Sequence, residues 1–454
     1  MAEATASRGN RLLLEQWVEL LEDDSFRRFW LMRLASHGAS NALSYALLVF
    51  TVRHSHSAVA MGGLLLTQIV PSALLGAISG VAVDLPPRGL ILFAANLMRA
   101  GLVLLLIGGR DNLVSLYVIS VGLGVVGQFV APAEGAVVPH VVRSQRLVAA
   151  TSFINLGSLA SQVVGLLILA PVLLKTGADD VLLVSVAGLF VFAAVLVTVI
   201  PQFRFITSEG GRDVSLRTVR REFAAGWLRL NRDPVAFLAL VLLVVTSTLM
   251  LTIATMLPKF SLQVLDVAPE NIVFVLAPVG IAIFLGLRSV AFLADRLNRL
   301  VTISAAYLLM AASLIALGLV PATADLLQSL DPLGAFSAGP LDEQAARIGA
   351  TVVFANAYGF AFTLVMTMGR VLLNERIPLE MQGRVFAAQA VLTNLVAIGP
   401  VLAAGLLADA VGVEPVLVAA GVGALLAAVW SQARSSRAVP ATAAPEGRGA
   451  PPLR

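Results

Sequence analysis

Apolar residues run through this chain in long unbroken stretches separated by short polar intervals. A helix needs ~20 apolar residues to cross about 30 Å of hydrocarbon. That length marks spans near 28–52, 58–83, 89–108, 112–138, 147–174 and 181–203. After a longer polar interval, six more fall near 234–258, 271–294, 300–321, 347–373, 385–408 and 413–432. The runs are continuous, without the alternation of half-buried strands. Helices also satisfy each backbone amide inside its own segment, as a hydrocarbon solvent demands. The pattern predicts an all-α integral membrane protein with twelve transmembrane helices.

The polar intervals divide the chain further. Residues 1–25 contain RLLLEQWVELLEDD at 11–24 and read as an N-terminal surface helix, with no removable signal peptide before it. Residues 26–203 form a first six-helix unit and 233–433 a second. Between them, 204–232 carries Val214, Leu216, Val219, Phe223, Trp227 and Leu230 at near-helical spacing, as an amphipathic helix on the membrane surface or a solvated linker would. The tail 434–454, rich in Ala, Pro and Gly, is expected to be disordered.

Composition agrees, with 58% hydrophobic and only 13% charged residues. A soluble domain has about a quarter of its residues charged. The net charge of +4 would point to nucleic acid only if the 31 Lys and Arg shared one patch. Instead 24 arginines fall in the termini and in the intervals on the same side, against Arg53, Arg110, Lys175, Lys259 and Arg347 on the other. This asymmetry predicts that both termini are cytoplasmic and leaves no nucleic-acid partner. The absence of cysteine removes disulfides, thiolate metal sites and thiol nucleophiles.

The two groups of six repeat each other. Gly80-x-x-x-Asp84-x-x-x-Arg88 closes span 2, and Ala291-x-x-x-Asp295-x-x-x-Arg299 closes span 8. Arg146-Leu-Val-Ala-Ala150 precedes span 5, and Arg384-Val-Phe-Ala-Ala388 precedes span 11. Two pseudo-symmetric six-helix bundles are the design expected of a secondary transporter, with a substrate site between them near the midplane.

With GAISGVAVDLPPR at 76–88, FAANLMRA at 93–100, APAEGAVVPHVVRSQRLVAA at 131–150, FAAGWLRLNRDP at 223–234 and LLNERIPLEMQGRVFAA at 372–388, the chain resembles the major facilitator superfamily. Within it, the resemblance is to the drug-efflux branch of macrolide and siderophore exporters. It runs from about Phe26 to Trp430. It implies a bacterial plasma (inner) membrane protein that acts as a monomer on a small-molecule substrate in the lipid bilayer. Alternating-access export by proton antiport is the expected activity, with no cofactor. Departures from the family pattern are Leu85, Pro86 and Pro87 in the loop signature, Asn96 for an acid, Gly165-Leu166 for a Gly-Pro pair, and Ser36-His37-Gly38-Ala39 without an acid in span 1.

The candidate residues follow. Gly80, Asp84, Arg88, Asp295 and Arg299 form a gating motif, or else solvated turns. Arg99 sits ~16 Å into span 3 and Arg288 lies inside span 8. At such depth a cation costs about 2.5–3.5 kcal/mol on insertion scales, so these buried cations need carbonyls, Glu134 or an anion as partner. His37 and Glu134 are the candidates for proton coupling, His37 having a packed neutral alternative. A substrate cavity is expected from Asn41, Tyr45, Gln128, Thr248, Thr252, Asn356, Tyr358, Thr363 and Met366, residue types that also serve as interhelical glue. No metal site is expected, since His54 and His56 lack nearby acids; Gly122-x-Gly124-x-x-Gly127 lies inside span 4, as helix packing requires. A lysophospholipid flippase and a non-transporting sensor are the alternative functions. The scattered His37, His54, His56 and His140 argue against an enzyme.

Overall fold

The computed structural model describes residues 18–55, 57–82, 87–142, 146–200, 233–296, 298–330, 343–377 and 379–438. Among these the chain is helical and contains no strand. The first half holds α1 (Asp24–His54), α2 (Ala58–Ala82), α3 (Arg88–Gly109) and α4 (Leu113–Val141). Helix α5 begins as Leu147–Gln162, passes through a π-helical segment Val163–Leu169 and ends as Ala170–Lys175; α6 is Asp179–Thr198. The second half holds α7 (Pro234–Gln263), α8 (Ile272–Leu276 continued by Val279–Arg296) and α9 (Arg299–Gly318). A short helix, Val320–Leu330, precedes α10 (Glu343–Arg376), α11 (Leu379–Val411) and α12 (Val413–Ala438).

Eleven helices among the described residues are long and apolar enough to cross a membrane. Helix α1 has the length, 31 residues, but carries Arg27, Arg28, Arg33 and His37 in its first half. It packs lengthwise against α5 and α6 as an integral member of the bundle. The expected spans match these helices to within a few residues; α12 runs to Ala438, past the expected start of the tail. The linker 204–232, the tail from residue 439 and most of the N-terminal surface helix lie outside the described residues. The helical residues 18–22 of that segment place Leu20 in the core, and Glu19 pairs with Arg146 at 2.7 Å.

Helix starts are set by short polar side chains. Asp23 accepts from the amides of Ser25 and Phe26, Asn112 from Val114, Asp233 from Val235 and Ala236, and Asn298 from Leu300. Each removes one or two of the orphan donors that open a helix. Pro234 at the first position of α7 lacks an amide that would otherwise go unmet. Successive long helices reverse direction, so their ends lie on two faces. The face that carries residue 24 and residue 438 is called here the terminal face, the opposite one the far face.

Each half has its own core. Leu243, Tyr307, Met310, Met368 and Leu417 belong to a cluster drawn almost entirely from residues 235–428. Phe26, Phe29, Met32 and Phe153 fill the terminal end of the first half, while Phe50, Leu106, Leu182 and Phe190 fill its far end. A small cluster of Ile69, Ala397 and Val401 joins the halves along α2 and α11. Large apolar side chains such as Leu105, Val114, Phe284 and Leu426 stand outside, an apolar exterior suited to lipid rather than water.

The π-helical segment of α5 occurs where the family's Gly-Pro pair is replaced by Gly165-Leu166. A Cβ on Gly165 would stand 2.4 Å from the Gly38 carbonyl oxygen and 2.9 Å from the Asn41 Cβ, so α5 and α1 meet here backbone to backbone. Small residues at such crossings allow the close approach that holds membrane helices together. Gly165→Val is expected to destabilise the protein by ~1–3 kcal/mol through overpacking, visible as a lower melting temperature in detergent. Gly188→Val, with nothing within 4 Å of the added Cβ, is the comparison. Equal melting of the two variants would show that this contact does not limit packing.

Candidate functional site

On the far face a single carboxylate ties the halves together. Asp409, at the far end of α11, accepts from the amides of Ala58 (2.7 Å) and Val59 (3.2 Å) and from the Ser57 hydroxyl. It therefore caps the N-terminus of α2 together with Ser57, whose hydroxyl accepts from the amides of Val59 and Ala60. The positive end of the helix dipole adds to the attraction. Lys259 of α7, only 7% exposed, completes the arrangement by donating to Asp409 at 2.6 Å and to the Ala408 carbonyl at 2.8 Å. Close packing continues inward: Gly405 lies against Ala58, Gly62 against Val401, and Asn394 donates to Ser72 at 2.7 Å. Ser72 is fourteen residues into α2, so the seam extends about 20 Å from the far face. Tyr45 of α1 adds a bond to the Pro269 carbonyl, 3.0 Å away, just before α8.

Below the seam, toward the terminal face, a cavity of about 380 Å³ opens between α7, α10 and α11. Ser247, Met366, Arg370, Gln389, Ala390, Thr393 and Asn394 line it. Arg370 stands six residues before the end of α10, hence roughly 9 Å from the terminal end of that helix. The Ser247 hydroxyl lies 3.9 Å from the Met366 sulfur.

A third feature lies in the first half. Glu134 of α4, 2% exposed, receives both Arg33 and His37 of α1 on its Oε2; the His37 Nε2 is 3.1 Å away. Its Oε1 is buried without a hydrogen-bond partner. Arg99 senses the same carboxylate, rests against Gly127 and holds its guanidinium 5.7 Å over the Phe190 ring. In a low-dielectric site one acid is thus shared among two permanent cations and an imidazole. The two residues weighed separately as proton carriers in the sequence are thus direct neighbours. Arg33 was counted in the sequence only as one of the basic residues that set orientation, because nothing local links positions 33 and 134.

The other candidates are dispersed. Asn41, Gln128 and Asn356 donate to carbonyls of their own helices, those of His37, Gly124 and Val352, and Thr363 to that of Gly359. Thr248, Thr252 and Tyr358 are buried with hydroxyls that lack partners; Tyr358 stacks near Phe362 at 6.3 Å. Of the expected cavity residues, Met366 lines the cavity described above. Arg288, expected to be buried, is exposed on α8 and has no ion pair among the described residues. In the gating motif, Asp84 lies outside the described residues, and the side chains of Gly80 and Asp295 are not described. Arg88 opens α3, and Arg299 opens α9, where it pairs with Glu375 of α10. Glu375, Lys259 and Asp409 carry charge contacts that the repeat did not indicate.

Two helical half-bundles, sealed on one face and holding a polar cavity toward the other, have the build of a membrane transporter. The chain belongs to the Major Facilitator Superfamily, whose family model matches residues 29–400. Among solved structures it is similar to a mutant form of the nucleoside transporter NupG, with TM-score 0.69 and 10% identity over 90% of this chain and 98% of that one. A bacterial homologue of the iron transporter ferroportin in an inward-facing state gives 0.68 and 14%, over 89% and 98%. A POT family transporter in complex with 5-aminolevulinic acid gives 0.59 and 12%, over 91% and 96%. At these identities the likeness is one of fold. A comparison with curated proteins gave no match.

The absence of native cysteine permits a direct test of the far-face seam. A reporter cysteine at Ala397, fully buried between the halves, is expected to label slowly with a membrane-impermeant maleimide. Asp409→Ala removes a cap worth about 0.5–2 kcal/mol together with the lysine contact, so labelling should quicken by roughly tenfold. Unchanged labelling would mean that Asp409 does not hold the seam closed.

Proposed function

We propose that this chain is a secondary active transporter that exports amphipathic small molecules from a bacterial cytoplasm by alternating access, coupled to protons, and works as a monomer. The observation that carries this reading is the cavity between α7, α10 and α11, which lies on the terminal-face side of a far face sealed by Asp409, Lys259 and α2. With both termini in the cytoplasm, this is an inward-facing arrangement, the state named for the bacterial ferroportin homologue. A substrate entering from the cytoplasm meets hydroxyl, amide and thioether groups in a cavity of the size that small ligands occupy. Outward release then requires that Asp409 let go of α2 and that the seam along α11 part. The terminal face closes in turn, where Arg88 opens α3 and Arg299 pairs with Glu375.

Protons act at the other charged site. His37 and Glu134 share a hydrogen-bonded contact, so a proton arriving at either has an acceptor beside it. Protonation of Glu134 cancels the charge that holds Arg33 and leaves α1 free to shift against α4. That movement links proton uptake to a rearrangement of the half-bundle, and linkage of this kind couples transport to a gradient.

Reconstituted vesicles test both parts. Wild-type protein should concentrate a fluorescent amphiphile against its gradient when a pH gradient is imposed. Glu134→Gln should lose at least tenfold of that pH-driven accumulation while downhill exchange persists, and His37→Gln should lose less. Accumulation that remains pH-driven in Glu134→Gln would remove the proposed coupling. Vesicles in which the wild type moves no amphiphile in either mode would remove the transport reading.

A further inference from the structure

Among the described residues that line the cavity, Arg370 is the one with a charge, and none is a carboxylate. Five other arginines on the terminal face are paired with acids: Arg27 and Arg28 with Asp24, Arg146 with Glu19, Arg299 with Glu375, and Arg376 with Asp233. Among the described residues Arg370 has neither an ion pair nor a hydrogen bond, although it stands one and a half turns inside the end of α10. A guanidinium presents a planar fork of donors matched to an oxyanion, and charge-assisted pairs of this kind are about twice as strong as neutral hydrogen bonds. Beside it Gln389 is 7% exposed and has no partner among the described residues, so a buried amide also faces the cavity with unspent hydrogen-bonding capacity. Met366 and Ala390 supply apolar surface to the same wall.

We infer that the cavity selects amphipathic molecules that carry one oxyanion, a carboxylate or a phosphate, bound by Arg370 with Gln389 alongside and the apolar part against Met366. This rests on the reading of the chain as a transporter of amphipathic molecules and narrows it to anions. A cationic amphiphile meets repulsion from Arg370 and finds no acid among the described lining residues to offset it.

The test uses the full chain and three probes with one skeleton: a naphthylalkyl carboxylate, its uncharged amide and the corresponding amine. Binding is measured in detergent and movement in vesicles. The carboxylate should bind at least tenfold more tightly than the amide, and the amine more weakly than either. Arg370→Gln should bring carboxylate and amide to within about twofold, and Arg370→Lys should retain part of the preference. Arg27→Gln, which removes a cation from the same face, should leave the preference intact. Lysophosphatidylglycerol serves as a competitor: displacement of the carboxylate below the concentration of free carboxylate needed assigns the oxyanion to a lipid headgroup, and weaker displacement assigns it to a soluble acid.

Equal binding of the three probes, or an identical loss in Arg27→Gln, overturns the inference, and movement of all three would leave the transport reading standing. Arg370-dependent carboxylate binding without movement supports the site and overturns transport. If the wild type binds none of the probes, the inference falls.

Discussion

The carboxylate of Asp409 holds four interactions at the point where the two half-bundles meet on the far face. It adds to the cap that Ser57 gives α2, it neutralises Lys259 in an apolar surrounding, and it fixes the register of α11 against α2. From there the helices zip together through Gly405, Gly62 and Ser72, where small side chains leave no room for a gap. The cavity begins where this zip ends. Its position on the terminal-face side is therefore a consequence of the far-face contact and not of the local lining alone. A contact of this kind suits a moving part, because each of its bonds can be exchanged for a bond to water when the ends of α2 and α11 separate.

Charge inside the helices is used sparingly and in a few places. The first half gathers Arg33, His37 and Arg99 around Glu134; the second leaves Arg370 unpaired at its cavity. A buried acid with more than one cation is sensitive to a single proton, since neutralising it leaves the cations without their partner. An unpaired arginine in a cavity is sensitive to an anion for the same physical reason. On the proposed reading, the proton-responsive centre lies in one half and the anion-responsive wall in the other, and alternating access would bring the two into one cycle.

Much of the fold was legible in the sequence because each membrane helix announces itself by an apolar run of bilayer length. The ends of α2, α3 and α9 fall within a few residues of those runs, and the repeat at Arg88 and Arg299 places corresponding helix starts in the two halves. Helix α1 is read from its apolar run at 28–52, although Arg28 and Arg33 lower the apolarity of its first part. Contacts between distant positions were not legible. Asp409 and Ala58 are separated by 351 residues, Arg33 and Glu134 by 101, and Arg299 and Glu375 by a long outer connection; no periodicity relates such pairs. Asn41, Gln128 and Asn356 were chosen by residue type, yet each satisfies its own helix, which is the cheapest partner for an amide in hydrocarbon. Of the cavity set, residue type alone points to Met366, while Arg370 reads in the sequence only as a marker of orientation.

The far-face seam can be locked covalently, since no native cysteine interferes. A cysteine pair at Gly62 and Val401, whose side chains would meet across α2 and α11, can be joined by oxidation in reconstituted vesicles and released by reduction. Opening of this seam in every cycle predicts that the oxidised protein still binds an amphiphile from the terminal-face side, transports none, and regains its rate on reduction. Full transport by the cross-linked protein would contradict a far face held and released at Asp409.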